Sequence, residues 1–243
     1  MLAADAPVTL TIDEGAERRW PSALDADQAR RLSLPLLALV RGGRLAVVAS
    51  AALWRVRDRR VLTTAAHLFE SGLQVGDLGI ADALEQRIWW LGAHGARVRL
   101  HPSADVALID LPDARDFPTG WRALPAALLD ASAEPCERYL MAGWPVAQTC
   151  WTGGRLVARP LLCLTTPHRP DDSTYRYGRI AERGDGTAVC TPPLDGASGA
   201  LLWQLHPHAD GVRLRPAGMQ VSFVHGRFMR CEPLAPIAEL IER

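Results

Sequence analysis

Short apolar runs, each bounded by glycine, proline or charged residues, recur along the chain from residue 45 onward. Runs with this length and these boundaries predict β-strands. They lie at residues 45–49, 60–64, 98–100, 106–111, 139–142, 200–205, 212–214 and 218–224. The segment 206–211, His-Pro-His-Ala-Asp-Gly, falls between two of these runs and predicts a hairpin loop.

Helical periodicity is rare by comparison. It is clearest at the C-terminus, where Leu234, Ile237, Ala238 and Ile241 recur at helical spacing and Pro233 stands near the start. A weaker pattern at residues 25–34 predicts a second helix. Many short strands with one terminal helix are typical of an all-β sandwich or barrel.

Two segments have little strand pattern and predict connections. Residues 112–134 are suited to a linker between two β halves. Residues 168–185 are polar and rich in glycine, proline and charge, which predicts a long surface loop.

The composition is that of an ordinary globular protein, with 48% apolar and 22% charged residues among 243. All 27 cationic side chains are arginine, and 27 acidic residues balance them. Because the arginines are scattered, no basic stripe forms and we expect no nucleic-acid partner. The longest apolar run, residues 45–54, is too short to cross a bilayer, so we expect no membrane association.

The N-terminal residues 1–19 contain acidic side chains and lack a basic start followed by an apolar run, so the sequence predicts no secretory signal. Five cysteines without a CxxC pair favour reduced thiols over a disulfide framework or a zinc site, although a single disulfide is compatible with them. Together these features predict a cytoplasmic protein without a bound metal.

Three short motifs contain the candidate catalytic residues. His67 follows the end of a predicted strand, and Asp105 directly precedes the apolar strand 106–111. Ser198 lies in the segment 195–200, whose small residues let a substrate carbonyl approach the backbone and can aim two N–H groups at one point. Each motif alone also fits a packed histidine, a turn aspartate or an ordinary tight turn. Their order of His, Asp and Ser is that of chymotrypsin and differs from subtilisin and the α/β-hydrolases.

On these motifs the chain resembles the trypsin-like serine peptidases. Residues 64–67 (Thr-Ala-Ala-His) match the motif of the general base, 105–108 the motif of the orienting acid, and 196–199 the Gly-x-Ser-Gly motif of the nucleophile. Residues 142–144 (Ala-Gly-Trp) and 217–222 (Ala-Gly-Met-Gln-Val-Ser) are similar to two further segments of that family.

The resemblance covers residues 40–243 and implies two six-stranded antiparallel β-barrels of the chymotrypsin type with a C-terminal helix. The implied divisions are an N-terminal extension at 1–35, a first barrel at 36–115, an inter-barrel linker at 116–134, and a second barrel with the helix at 135–243. The first barrel would supply His67 and Asp105 of the catalytic triad, and the second would supply Ser198. The N–H groups of Gly196 and Ser198 would form the oxyanion hole.

Departures from the animal trypsins indicate which relatives are most similar. Ala197 stands where those enzymes have an aspartate that pairs with a new N-terminus, and no Ile-Val-Gly-Gly start is present. Leu68 replaces the cysteine that usually follows the catalytic histidine. We therefore expect no activation by N-terminal insertion and a closer similarity to bacterial intracellular members.

The activity implied is that of a serine endopeptidase that needs no cofactor and acts on a protein or peptide, with limited proteolysis of a dedicated partner protein as the expected role. The implied substrate-binding residues are Pro192, Gln220, Val221, Ser222 and Phe223. Pro192 and Gln220 are uncharged at positions where basic-specific and acid-specific relatives have charge. We therefore expect a small or medium uncharged residue before the cleaved bond.

Two alternatives compete with this interpretation. A triad-bearing fold that is inactive or latent would serve as a protease-like binding module and would have the same sequence motifs. A lipase or esterase of the α/β-hydrolase class is disfavoured by the order of the triad and by the missing alternation of strands and helices.

Overall fold

The structure is a computed structural model. It describes residues 32–40, 43–82, 87–112, 116–118, 120–130, 136–152, 155–169, 173–182, 188–208 and 211–242. Residues 1–31 of the predicted N-terminal extension lie outside these residues, and with them most of the predicted helix at residues 25–34. The last residue of that prediction, Leu34, begins a β-strand instead. In the described part of the chain no helix is long and apolar enough to span a bilayer.

The first half of the chain forms one curled sheet. Its strands are β1 Leu34–Val40, β2 Arg44–Val56, β3 Arg59–Thr64, β4 Leu78–Ala81, β5 Ile88–Trp90, β6 Arg97–Leu100, β7 Ala107–Leu111 and β8 Leu124–Pro125. Seven of them follow one another in the order β5-β4-β1-β2-β3-β7-β6 with antiparallel pairing. The short strand β8 pairs in parallel with β2, although it falls in the segment predicted as a linker.

The second half forms a similar sheet. Its strands are β9 Tyr139–Gly143, β10 Thr149–Thr152, β11 Arg155–Ala158, β12 Leu161–Thr165, β13 Pro167–Arg169, β14 Thr174–Arg176, β15 Ile180–Glu182, β16 Ala188–Cys190, β17 Leu201–His208, β18 Gly211–Val224 and β19 Phe228–Pro233. The main sheet has the order β12-β9-β17-β18-β19-β14-β13, and the hairpins β10-β11 and β15-β16 form separate two-stranded sheets.

Helices are short within the described residues. Helix α1, His67–Glu70, follows β3, and helix α2, Ala235–Glu242, is the predicted C-terminal helix. Single 3-10 turns occur at Val75–Asp77, Leu91–His94, Ala126–Asp130 and Val146–Gln148. The fold is therefore all-β, with two antiparallel half-barrels and a terminal helix, as predicted.

Several strands are buried on both faces, which explains why they appear in the sequence as unbroken apolar runs. Successive side chains of a strand point to opposite faces. In β7, Leu108 packs into a core shared by both sheets, whereas Ile109 packs inside the first half-barrel. In β9, Leu140 belongs to the shared core and Met141 to the interior of the second half-barrel.

The structure corrects three details of the prediction. Each main path has seven strands where six were predicted, because the short hairpins β4-β5 and β13-β14 extend the sheets. The predicted loop at 168–185 contains β14 and β15, so that prediction is wrong. The hairpin loop predicted at 206–211 is shorter, since His208 of β17 already pairs with Gly211 of β18.

Candidate active site

His67 and Asp105 meet at the ends of neighbouring strands. Strand β3 ends at Thr64, and His67 begins helix α1 directly after it. Asp105 stands just before β7, which pairs with β3, so the sheet itself brings the two residues together. The His67 N–H donates to Asp105 Oδ1 at 2.9 Å, and His67 Nδ1 lies 2.7 Å from Asp105 Oδ2.

The loop that carries Asp105 is held by hydrogen bonds of its own. The His101 N–H donates to the Val106 carbonyl at 2.9 Å, and His101 Nδ1 accepts from the Ala104 N–H at 3.0 Å. His101 Nε2 lies 3.1 Å from a Glu239 carboxylate oxygen in α2. The terminal helix thus helps fix the position of Asp105.

The contact between His67 and Asp105 changes the pKa of both side chains. The hydrogen bond to Asp105 raises the pKa of His67 above its ordinary value, and this effect outweighs burial, which lowers it. Burial alone would raise the pKa of the Asp105 carboxyl, but the hydrogen bonds from His67 together hold that pKa below its ordinary value. Asp105 is therefore ionised at neutral pH, and Nδ1–H of His67 has a fixed acceptor.

Ser198 lies in a tight turn between β16 and β17. The Ala197 N–H donates to the Leu194 carbonyl at 2.8 Å, and the Ala200 N–H donates to the Ala197 carbonyl at 2.9 Å. Gly199, with a φ of +95°, reverses the chain after Ser198, a conformation that favours glycine. A Cβ at Gly199 would lie 2.0 Å from the Ser50 carbonyl oxygen, so the turn fits closely against strand β2.

The backbone N–H groups predicted to form the oxyanion hole have no acceptor among the described residues. The Val146 N–H donates to the Asp195 carbonyl at 2.7 Å. The Asp195–Gly196 peptide is trans, so the Gly196 N–H points in the direction opposite to the Asp195 carbonyl and therefore away from Val146. The Ala197 carbonyl likewise accepts from the Ala200 N–H. The Ser198 N–H, on the other side of the Ala197–Ser198 peptide, therefore points away from Ala200. Both donors are therefore available to a bound oxygen.

The Ser198 hydroxyl forms no hydrogen bond with His67 in this structure. Its Oγ lies 3.4 Å from the Val221 carbonyl oxygen, a long and weak hydrogen bond. Within the described part of the chain no hydrogen bond joins Ser198 to His67. Both residues nevertheless line one open cleft of about 800 Å³. Asp195 and Gly196 also line it, and they belong to the turn 194–200 around Ser198, the nucleophile turn.

Three of the five predicted substrate-binding residues line this cleft, namely Val221, Ser222 and Phe223. Pro192 is not among the residues that line the cleft, and its carbonyl accepts a hydrogen bond from the Tyr177 hydroxyl. Gln220 is fully buried on the core side of β18, opposite Cys231, and its amide atoms have no hydrogen-bond partner among the described residues. Three acidic residues of the predicted loop 168–185, Asp171, Asp172 and Asp185, lie outside the described residues.

Sequence reasoning missed the residues that hold the nucleophile turn. Ser50 and Thr64 are buried polar residues of the first sheet, and the Thr64 hydroxyl donates to the Ser50 carbonyl at 2.8 Å. A serine inside the apolar run of β2 was the available signal. The cleft also extends over Val48, Leu68 and Leu73, which the motifs did not indicate.

The described residues form neither a cluster of metal ligands nor a disulfide. No group of three His, Cys, Asp or Glu side chains that could hold a metal ion occurs among the described residues. All five cysteines are described, and each is a free thiol in this structure. Burial raises the pKa of the Cys163 thiol to about 12, so that thiol stays protonated and unreactive.

Comparison with known proteins places this geometry in a known fold. No protein-family model matches the chain, and no curated protein matches it either. Solved structures of human heparin binding protein are similar: one has a TM-score of 0.56 at 20% identity, covering 89% of this chain and 92% of that chain. An atomic-resolution structure of the same protein has a TM-score of 0.57 at 18% identity and covers 89% of this chain and 91% of that chain. A mutant of human heparin binding protein has a TM-score of 0.55 at 18% identity, with 87% of this chain and 90% of that chain covered. The chain therefore adopts the chymotrypsin fold of the trypsin-like serine peptidases.

Proposed function

We propose that the protein is a serine endopeptidase with His67, Asp105 and Ser198 as its catalytic triad. The observation that supports this most is the 2.7 Å contact between His67 Nδ1 and Asp105, at the edge of a cleft that Ser198 also lines. A peptidase on this fold needs a base with a fixed tautomer beside a nucleophile and two unused N–H donors. Among the described residues that line this cleft, His67 is the only histidine.

In the proposed mechanism each residue moves a proton or holds a charge. Because Nδ1–H of His67 donates to Asp105, Nε2 keeps the lone pair that accepts a proton. Ser198 Oγ attacks the peptide carbonyl while His67 Nε2 takes its proton, and the carbonyl oxygen becomes an anion held by the N–H groups of Gly196 and Ser198. His67 then gives the proton to the leaving amine, and water hydrolyses the acyl-enzyme by the same steps.

A latent or inactive binding module is the second candidate. It is supported by the Ser198 hydroxyl, which in this structure lies against the Val221 carbonyl instead of His67. A bond of 3.4 Å is weak enough for the hydroxyl to leave by rotation about χ1. Catalytic hydrogen bonds are often long or misaligned before substrate binds, so we favour the enzyme.

For specificity we propose a small or medium uncharged residue before the cleaved bond. The cleft wall of Val221 and Phe223 supports this, because apolar pockets select by size. Uncharged Pro192 and Gln220 supply no charge to attract a basic or an acidic side chain. A peptide-library profile dominated by Arg or Lys would overturn this proposal.

The biological setting is proposed from the resemblance to bacterial intracellular members. We propose limited proteolysis of a dedicated partner protein in the cytoplasm, without nucleic acid or membrane as a partner. Incubation with candidate proteins from the source organism, followed by mapping of new N-termini, tests this. General degradation of unfolded proteins at many sites would contradict it.

The test of the proposed activity is Ser198→Ala. Removing the nucleophile of a triad lowers kcat by about 10⁶-fold, so we expect cleavage of a mixed peptide library to disappear while circular dichroism is unchanged. The exposed Ser103→Ala is the matched control, and its activity should equal that of the wild type. Equal cleavage by Ser198→Ala and the wild type would sink the assignment.

A further inference from the structure

Ser50 contacts the nucleophile turn at two points. Its Oγ lies 3.0 Å from the Gly196 carbonyl oxygen, and its backbone N–H donates to the Ser198 carbonyl at 2.8 Å. Ser50 is 0% exposed. The mechanism above makes no use of its hydroxyl, although a buried hydroxyl is rarely placed without a hydrogen-bonding role.

Trp144 determines which way this hydroxyl donates. The Trp144 N–H donates to Ser50 Oγ at 2.9 Å, so the oxygen is the acceptor there. A serine hydroxyl has one proton, and Gly196 O can only accept, so the proton is directed to Gly196. A chain of two hydrogen bonds therefore runs from the Trp144 N–H through Ser50 Oγ to the Gly196 carbonyl.

These contacts act on the two candidate oxyanion donors. The Ser198 N–H belongs to the Ala197–Ser198 peptide. Ser50 donates to the carbonyls of the two neighbouring peptides, that of Gly196 before it and that of Ser198 after it. The Gly196 N–H belongs to the Asp195–Gly196 peptide, whose carbonyl accepts a hydrogen bond from the N–H of Val146, two residues after Trp144. Ser50 thus ties the turn of the second half-barrel to strand β2 and to the segment that fixes the other donor.

We propose that Ser50 is a positioning residue whose hydroxyl holds the Gly196 and Ser198 N–H groups in the geometry that an oxyanion needs. The inference deepens the proposed peptidase function and rests on it. The oxyanion exists only near the transition state, so this interaction lowers the barrier to acylation without adding to substrate binding. Loss of the hydroxyl lowers kcat and leaves KM nearly unchanged.

The test compares kcat and KM of Ser50→Ala and Ser50→Cys with the wild type. Loss of a whole oxyanion donor costs about 10²- to 10³-fold, and a donor that is only misplaced should cost less. We expect kcat of Ser50→Ala to fall about 10- to 100-fold with KM within about threefold. The weakly donating thiol of Ser50→Cys should give an intermediate kcat.

Thr165→Val is the matched control, because it also removes a largely buried hydroxyl that donates to a carbonyl, that of Arg176 at 2.6 Å. Its kcat should equal that of the wild type even where its stability falls. An unchanged kcat in Ser50→Ala, a loss confined to KM, or an equal loss in Thr165→Val would each overturn the proposal. If Ser50→Ala does not fold, the same comparison is made with Ser50→Cys.

Failure of the peptidase function is distinguishable from failure of this inference. If the wild type itself neither cleaves peptides nor reacts with a fluorophosphonate, the proposed function has failed. Crystal structures of the wild type and Ser50→Ala then decide the role of Ser50. A rotated Gly196 carbonyl in the variant supports it, and an unchanged turn overturns it.

Discussion

His67 donates two hydrogen bonds to one carboxylate, that of Asp105, and these two bonds fix the position of its ring. The backbone N–H and Nδ1 both contact Asp105, so the ring has one orientation and one tautomer. The side chain of His67 is 43% exposed and that of Asp105 is 22% exposed. In the proposed mechanism the His67 ring can therefore reach a substrate while Asp105 is largely shielded from water.

We predict that kcat/KM rises with pH through a single inflection that lies above about 6.5, the ordinary pKa of histidine. Only neutral His67 can accept the proton of Ser198, and the contact with Asp105 favours its charged form, so the raised pKa moves the inflection upward. A profile from pH 5 to 9 with a small chromogenic substrate measures it. An inflection at or below the ordinary histidine value would contradict the assignment.

Asp105→Asn is the control for that profile. It keeps the shape of the side chain but removes its charge, so the inflection should fall toward the ordinary value. Losing the correct tautomer should also lower kcat by about 10⁴-fold. A variant that keeps both the rate and the inflection of the wild type would show that Asp105 does not act on His67.

At the scale of the element, the nucleophile turn depends on its close fit against the first sheet. Gly199 contacts the backbone of Ser50, and a Cβ there would lie 2.0 Å from its carbonyl oxygen and 2.5 Å from Thr64 Oγ1. Neither atom belongs to the end of a flexible side chain that can swing away. The turn and strand β2 must therefore separate before any side chain larger than hydrogen fits.

We predict that Gly199→Ala is far more destabilising than Gly72→Ala. Both glycines have a similar φ, +95° and +90°, but a Cβ at Gly72 meets nothing within 4 Å. The free energy of unfolding of Gly72→Ala should fall only by about 1–2 kcal/mol, the conformational cost of an alanine at positive φ. Gly199→Ala adds a clash with the backbone of Ser50, so its free energy of unfolding should fall by more than about 4 kcal/mol, or the variant should not fold. Urea unfolding measures both, and equal losses would contradict the close fit.

At the scale of the whole molecule, the two sheets share one core. Trp54 and Leu108 of the first sheet pack in the same cluster as Leu201 and Trp203 of the second, and Ile237 of helix α2 joins them. The Arg99 guanidinium of β6 also donates to the Leu240 carbonyl near the end of α2, at 2.7 Å. The two half-barrels are therefore not independent units.

We predict a single cooperative unfolding transition for both half-barrels. Ile237→Ala, which removes a fully buried side chain from the shared core, should destabilise the protein by about 2–5 kcal/mol and lower the one Tm by several degrees. Leu39→Ala, at a side chain that is 58% exposed, should leave Tm nearly unchanged. Scanning calorimetry decides it, and two separated transitions would contradict the shared core.

Local patterns predicted most of the fold, because strands such as β7 and β9 are buried on both faces and stand out as apolar runs. Strand β14 was missed because Thr174–Arg176 is not an apolar run and forms through its pairing with β13 and β19. The role of Ser50 could not be predicted, since its partners Gly196 and Trp144 lie 146 and 94 residues away along the chain. Contacts of that kind depend on the folded chain and leave no local pattern.

The central claim is that Ser198 is an activated nucleophile, and active-site labelling tests it most directly. The folded wild type, incubated with a fluorophosphonate, should gain the mass of one adduct, and peptide mapping should place it on Ser198. Ser198→Ala should gain none, and Asp105→Asn should react much more slowly. A folded wild type that gains no adduct, or gains it at another serine, would contradict the account and favour the latent binding module.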